Sequence, residues 1–250
     1  MIATRSGGVL RLTLDRPEVR NAVNGEVYET LRGELERAAQ DPAVRVVVLA
    51  GKGAAFCAGV DVNHVRKVTA AGREASLADA RLAVSAMFGL ASFPKPTVAA
   101  VNGAAYGAGV GLALACDIVV AADAARFSLS EVRLGLVPGL VAKLMAQAIG
   151  SREARRYLLT GQVFDAREAL RIGLAHEVVP LQALEQAVEK QVEMLQAGGP
   201  KALAGTKALL AEARSAAELE AIARMAVEQR ESAEAKEGVA AFIEKRMPKW

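Results

Sequence analysis

The segment Val101-Asn102-Gly103-Ala104-Ala105-Tyr106-Gly107-Ala108-Gly109-Val110-Gly111 brings main-chain amides, rather than reactive side chains, to the start of a helix. Its four glycines in nine positions let other groups approach the backbone closely, and Leu112-Ala113-Leu114-Ala115 continues it as an apolar helical run. N–H groups arranged in this way suit an anion. A second loop of the same kind, Ala55-Phe56-Cys57-Ala58-Gly59-Val60-Asp61, follows a strand upstream. If the two loops converge, they form a two-donor hole for the oxygen of an enolate or a tetrahedral intermediate.

The elements that must hold these loops read as an α/β chain. Val9-Leu10-Arg11-Leu12-Thr13-Leu14 alternates with period two, placing Leu10, Leu12 and Leu14 on one face, and Asp15-Arg16-Pro17 ends it. Asn24 caps a helix whose Val27, Leu31 and Leu35 share a side, and Asp41-Pro42 leads into the apolar strand Val44 to Leu49. A polar helical region, 63–93, precedes the buried strand Pro96 to Val101, and Asp117 to Ala121 is the next strand. Strand, loop and helix therefore recur. Ser151 caps a helix over 152–159 with Gly161 past its end, Asp165 and Glu168 form a capping box for a helix closed by Gly173, and Val178-Val179-Pro180 is a last short strand. Helices alone follow, started by Gly199-Pro200, by a box of Ser215 with Glu218, and by Glu237 to Lys245. This divides the chain into an α/β core, 1–195, and a helical tail, 196–250, unsuited to folding alone and of a kind that packs on neighbouring subunits.

Composition narrows the function. The 250 residues suffice for a large core, and the net charge of +3, from 31 basic and 28 acidic residues, is spread without the basic stripe of a nucleic-acid binder. Cys57 and Cys116 are the only cysteines, which argues against disulfides and zinc and for a reducing, cytoplasmic setting. The amino terminus, Met1 to Gly8, lacks the apolar core of a signal peptide. Thr97 to Cys116 carries no charge over twenty residues, but Asn102 and the glycines make it a strand, turn and buried helix rather than a membrane span.

Five segments, in order, resemble the crotonase family, the enoyl-CoA hydratase/isomerase superfamily. They are Arg16-Pro17-Glu18-Val19-Arg20-Asn21-Ala22, Ala55 to Asp61, Ala115-Cys116-Asp117-Ile118, Ser130-Glu131-Val132-Arg133-Leu134-Gly135-Leu136-Val137-Pro138-Gly139, and Glu237-Gly238-Val239-Ala240-Ala241-Phe242-Ile243-Glu244-Lys245-Arg246. The resemblance implies a crotonase-type spiral of β-β-α units, a carboxy-terminal helical oligomerisation region that forms a trimer or a dimer of trimers, and an acyl-CoA thioester as substrate with no metal or other cofactor. It implies Val60 and Ala108 as the two amide donors and Glu131 as the acid/base, with a partly apolar setting that raises the pKa of Glu131. It also places Gly107 at the substrate, Arg20 and Ala22 near the pantetheine and phosphates, Ala58 and Asp61 near the adenine, and Phe242 and Lys245 over the site from another subunit.

The departure is Gly111, where the best-known hydratases carry a second glutamate; Leu140-Val141-Ala142-Lys143-Leu144 also replaces a glycine-rich run beside Glu131. A two-glutamate mechanism is excluded at these positions. Three readings stand: a one-carboxylate hydratase, worded like the branched-chain or glutaconyl-type subgroup; a 3,2-enoyl isomerase using the same glutamate; and a scaffold that binds CoA esters without turnover. The hydratase leads narrowly. Asp61 is expected to fix loop geometry, His64 to be a solvated surface histidine, and His176 to be structural. Tyr106 is expected to line the pocket as a core tyrosine, its hydroxyl reachable from space left open by Gly111. Residues 73–81 are expected to form a polar, mobile cover.

Overall fold

A computed structural model of the chain describes residues 1–210 and 216–246. The amino-terminal hairpin pairs β1 (Ile2–Ser6) with β2 (Val9–Leu14) antiparallel, and a single 3-10 turn, Pro17–Val19, leads to α1 (Gly25–Gln40). Three units then repeat one pattern: a strand in a large sheet, a short strand in a small sheet, and a helical segment. They are β3 (Val46–Gly51) and β4 (Ala55–Cys57) with α2 (Val62–Ala70) and α3 (Arg73–Ala91); β5 (Thr97–Val101) and β6 (Ala104–Tyr106) with α4 (Ala108–Leu114); and β7 (Ile118–Ala122) and β8 (Arg126–Ser128) with a 3-10 turn, Ser130–Leu134, and α5 (Leu140–Thr160). After β9 (Phe164–Asp165), α6 (Ala166–Arg171) and β10 (Glu177–Val179), the rest is helical: α7 (Leu184–Ala197), α8 (Pro200–Leu210), α9 (Ala216–Arg230) and α10 (Ala233–Ile243). This is the expected spiral of β-β-α units.

The large sheet has the order β1-β2-β3-β5-β7-β10, parallel from β2 onward, and the small sheet the order β4-β6-β8-β9. A parallel sheet is stable with both faces covered, so its strands are apolar on both sides. Leu10, Leu12, Leu14, Val47, Leu49, Ala99 and Val101 face the main core, which α1 closes with Leu31 and Leu35. The alternate residues Val46, Val48, Val98, Ala100, Val120 and Ala122 face Leu184, Val188 and Val192 of α7. A slip of one residue in any of these strands would exchange the two faces, and this fixes the register.

Local signals account for several helix ends. Asn24 accepts from the Val27 amide at 3.1 Å and Asp165 from the Glu168 amide at 2.8 Å. Gly150, with φ 75° and ψ 151°, breaks α5 in two, and its second half starts at Ser151 as the residue types predict. The predicted cap at Ser215 lies outside the described residues. Asn21 has a larger role than its sequence neighbourhood indicates. In a left-handed conformation (φ 58°) and 1% exposed, it donates to the carbonyls of Lys52 and Ala55 and accepts from the Arg16 amide. It thereby ties residues 16–22 to the strand that carries the first amide loop.

The tail packs on its own core. Ala223 and Val227 of α9 meet Ala80 of α3, and Arg73–Glu231 (2.7 Å) and Arg81–Glu220 (2.6 Å) pin α3 to α9. The expected cover over 73–81 is therefore a helical face held by ion pairs, because α9 supplies the matching carboxylates. On α10, Gly238 lies against the 3-10 turn so closely that an added Cβ would stand 2.3 Å from the Leu134 carbonyl oxygen. We expect Asn21→Ala to cost about 3 kcal/mol in chemical denaturation, because it leaves the buried Ala55 carbonyl without a partner and removes two part-buried bonds, to the Lys52 carbonyl and from the Arg16 amide. A cost below about 1 kcal/mol would show that this turn is not the tie described.

Candidate active site

The first amide loop is held by its neighbours. The Val23 amide donates to the Gly59 carbonyl, the Asp61 amide to the Val23 carbonyl (both 2.8 Å) and the Ala58 amide to the Arg20 carbonyl at 2.9 Å. These bonds use the amides of Ala58 and Asp61 and leave the Val60 N–H without an acceptor among the described residues. Asp61 also caps α2, accepting from the amides of Asn63 (3.0 Å) and His64 (3.4 Å), while Arg16 bridges Asp61 (2.9 Å) and the Ala22 carbonyl (2.7 Å). Burial raises the pKa of Asp61, but Arg16 and the two capping amides outweigh it, and the net shift is downward. The carboxylate therefore stays charged and holds the loop.

The second loop meets the first at Gly59. With φ 101°, Gly59 lies so close that an added Cβ would sit 3.1 Å from the Tyr106 carbonyl oxygen and 4.0 Å from the Ala108 nitrogen. Gly107 then turns the chain into α4 with φ 48° and ψ −115°, a combination open to glycine, its amide donating to the Ser128 carbonyl at 2.9 Å. The first helical bond runs from the Gly111 amide to the Gly107 carbonyl, so the N–H of Ala108 also has no acceptor among the described residues.

Glu131 sits on the 3-10 turn Ser130–Leu134, which Gly135 closes in a left-handed conformation. Its Oε1 lies 2.9 Å from the position a Cβ on Gly107 would take, so glycine at 107 makes room for the carboxyl in this place. Its Oε2 is buried with no hydrogen-bond partner. Burial pushes the pKa of Glu131 up to about 7, partly offset by its own backbone amide. The group is thus placed to hold or release a proton near neutrality.

Val60, Ala108 and Glu131 line a single cavity of about 120 Å³. Its walls are mostly apolar, with Met87 and Val84 from α3, Leu140 and Val141 from α5, and Tyr28 from α1, and α9 adds Ala226 and Arg230. At Gly111 an added Cβ would meet Val141 Cγ2 at 2.7 Å and Met87 Sδ at 2.8 Å. The space expected beside Gly111 is therefore filled by these two side chains, and Tyr106 is not among the residues lining the cavity.

Arg20, Ala22, Ala58 and Asp61 form one bonded strip beside the Val60 loop, with Arg20 exposed and Ala22 buried. Phe242, 56% exposed, and Lys245 lie apart from this cavity; Phe242 lines a second hollow with Arg133 and Gly238 behind the Glu131 turn. His64 is not the solvated side chain expected: its Nε2 lies 2.6 Å from Asp79 Oδ1, which also holds Arg230 through its other oxygen. His176 accepts the Val119 amide on its Nδ1 at 3.0 Å, a structural role. Sequence reasoning missed Tyr28, Met87 and Arg230. Tyr28 follows Val27 in the helical stripe and reads as core, whereas α9 reaches the cavity only through tertiary packing. Among the described residues no cluster of His, Cys, Asp and Glu could hold a metal, and no helix is long and apolar enough to cross a membrane.

The raised pKa of Glu131 makes a prediction about stability. The folded state binds its proton more tightly than the unfolded chain, so this contribution is complete below about pH 4.5 and is lost as pH rises through about 7. In denaturant titrations at several pH values, Glu131→Gln should gain on the wild type across that interval and converge with it at low pH. A constant difference would place Glu131 in water.

Comparison with known proteins agrees with this geometry. The family model for enoyl-CoA hydratase/isomerase matches residues 4–250. The chain is 37% identical over 258 residues to the 2,3-dehydroadipyl-CoA hydratase of Escherichia coli K12, covering 99% of this chain and 97% of the relative. It is 36% identical over 210 residues to a hydroxycinnamoyl-CoA hydratase-lyase of Pseudomonas fluorescens, covering 80% and 74%. Among solved structures, an enoyl-CoA hydratase from Mycobacterium avium subsp. paratuberculosis K-10 superposes with a TM-score of 0.85 at 32% identity, covering 100% of this chain and 97% of that one. With its two open amides and buried carboxyl in one cavity, the chain belongs to the enoyl-CoA hydratase/isomerase family and is an enzyme of the crotonase superfamily.

Proposed function

We propose that this enzyme adds water across the 2,3 double bond of an acyl-CoA thioester with Glu131 as its only acid/base. One observation carries the reading: two amides without acceptors, Val60 and Ala108, and a carboxyl oxygen without a partner, Glu131 Oε2, belong to residues lining the same cavity. The thioester oxygen accepts from both amides, which makes C3 electrophilic. Glu131 takes a proton from water as its oxygen bonds to C3, the C2–C3 π electrons move into the enolate, and the two N–H groups hold the oxyanion. The proton on Glu131 then passes to C2 and regenerates the carboxylate. Each amide contributes about 3 kcal/mol to this step because it is held in place and needs no reorganisation.

The CoA moiety would run along Arg20, Ala22, Ala58 and Asp61, with Gly107 against the thioester. A trimer, or a dimer of trimers, built on 196–250 would bring Phe242 and Lys245 to a neighbouring site; the exposure of Phe242 and Ile243 supports an interface there. Two buried free thiols favour a reducing, cytoplasmic setting. A second reading, 3,2-enoyl isomerisation, is favoured by the apolar wall of Met87 and Val141 at Gly111, since moving a proton from C2 to C4 needs one base and no second water ligand.

Loss of conjugated enoyl absorbance from a 2-enoyl-CoA reports hydration, and its gain from a 3-enoyl-CoA reports isomerisation. We expect the first. Saturable binding with neither change would leave a scaffold. Glu131→Gln should lower kcat by about 10²–10⁴ while sparing binding. Because the free enzyme's base must be ionised, kcat/KM should rise with pH through about 7. A near wild-type rate in the variant would remove Glu131 from the chemistry.

A further inference from the structure

The cavity wall that carries Tyr28 and Arg230 does not match an aliphatic acyl chain. Arg230 lines the cavity and also an adjoining hollow between α2 and α10; its side chain is 13% exposed, and its Nη1 donates to Asp79 Oδ2 at 3.0 Å. Asp79, 10% exposed, has its other oxygen bonded to His64, so both carboxylate oxygens are engaged. The Nε and Nη2 hydrogens of Arg230 have no acceptor among the described residues. Tyr28 lines the same cavity, close enough to Asp79, Arg230 and Glu131 for their charges to act on its hydroxyl. These donors reach open space; a hydrocarbon tail packed on them would strip their water without replacing it, whereas an oxygen acceptor would meet them.

We propose that Arg230, supported by Tyr28, is a specificity determinant that selects short acyl groups ending in an oxygen acceptor, a carboxylate or a hydroxyl. The inference rests on the reading of this cavity as the acyl site. Its volume of about 120 Å³ suits a short tail beyond the double bond. Asp79 is the positioning residue. It cancels much of the charge of Arg230 and fixes the guanidinium on α9 against α3, and His64 fixes Asp79 in turn. Met87, Val84 and Val141 cover the remaining wall, so the polar demand is confined to one end.

The test is a competition among short, length-matched 2-enoyl-CoA esters ending in methyl, hydroxyl or carboxylate, read as kcat/KM. The full-length enzyme should favour an oxygen-ended ester over the methyl-ended one by about tenfold or more, since a site built to bond an oxygen penalises its absence. Preference for the carboxylate alone would identify charge pairing with Arg230, and equal preference for both would identify acceptor recognition; either supports the proposal. Equal or better use of the methyl-ended ester overturns it. Arg230→Met should bring the ratio close to one. A fall of all three rates by the same factor would reduce Arg230 to a clamp between helices and would also overturn the proposal. The wild-type ratio decides even if the variant fails to fold. Calorimetric binding of the corresponding saturated esters separates the two readings: no hydration of any ester defeats the proposed reaction, while the order of the dissociation constants still reports the tail preference.

Discussion

Two backbone N–H groups left without acceptors, beside a carboxyl that burial keeps close to neutral, set the terms for the rest of the molecule. Such an arrangement is unstable in isolation. An open amide invites competing bonds, and a buried carboxyl oxygen without a partner costs free energy. The fold answers by fixing everything around them. The amides of Asp61 and Ala58 are spent on Val23 and Arg20, the amide of Gly107 is spent on Ser128, and Gly59 and Gly107 let the two loops and Glu131 come within contact distance. The two-sheet spiral is the means. Each turn leaves the large sheet, passes through a short strand of the small one, and delivers the loops after β4, β6 and β8 to the same place.

How much of this could be read beforehand depends on the length scale of each signal. The long parallel strands were legible because both faces are buried, so Val46 to Leu49 and Val98 to Val101 are uninterrupted apolar runs. The small sheet was not: β4, β6, β8 and β9 have two or three residues each, too few for any period to show. The amide loops stood out through their glycines. The position of Glu131 came from family resemblance, since nothing local distinguishes it from a surface carboxylate until the turn that carries it is folded against Gly107. Arg230 was invisible for a related reason. Its meaning depends on Asp79 and Tyr28, which are far from it in the chain, and only the packing of α9 on α3 brings them together.

Position 111 shows how one absent side chain reshapes chemistry. A glycine there could have left a water-filled gap. Instead Met87 and Val141 occupy the space, making the wall apolar and leaving Glu131 as the only carboxyl lining the cavity among the described residues. Polarity returns on the side formed by Tyr28 and Arg230, where the carboxy-terminal helices close the cavity. The tail thus shapes the site twice, with α9 lining the cavity and α10 backing the turn that bears Glu131.

In the proposed reaction a backbone hydrogen, not a side chain, supplies much of the catalysis. The most direct measurement replaces the Ala108 amide with an ester by introducing lactic acid at that position, which deletes one N–H and leaves the side chain in place. We expect kcat for 2-enoyl-CoA hydration to fall by about 10²–10³ while the affinity for a saturated CoA ester changes little. A rate within about threefold of the wild type, far short of the loss of one oxyanion donor, would contradict it.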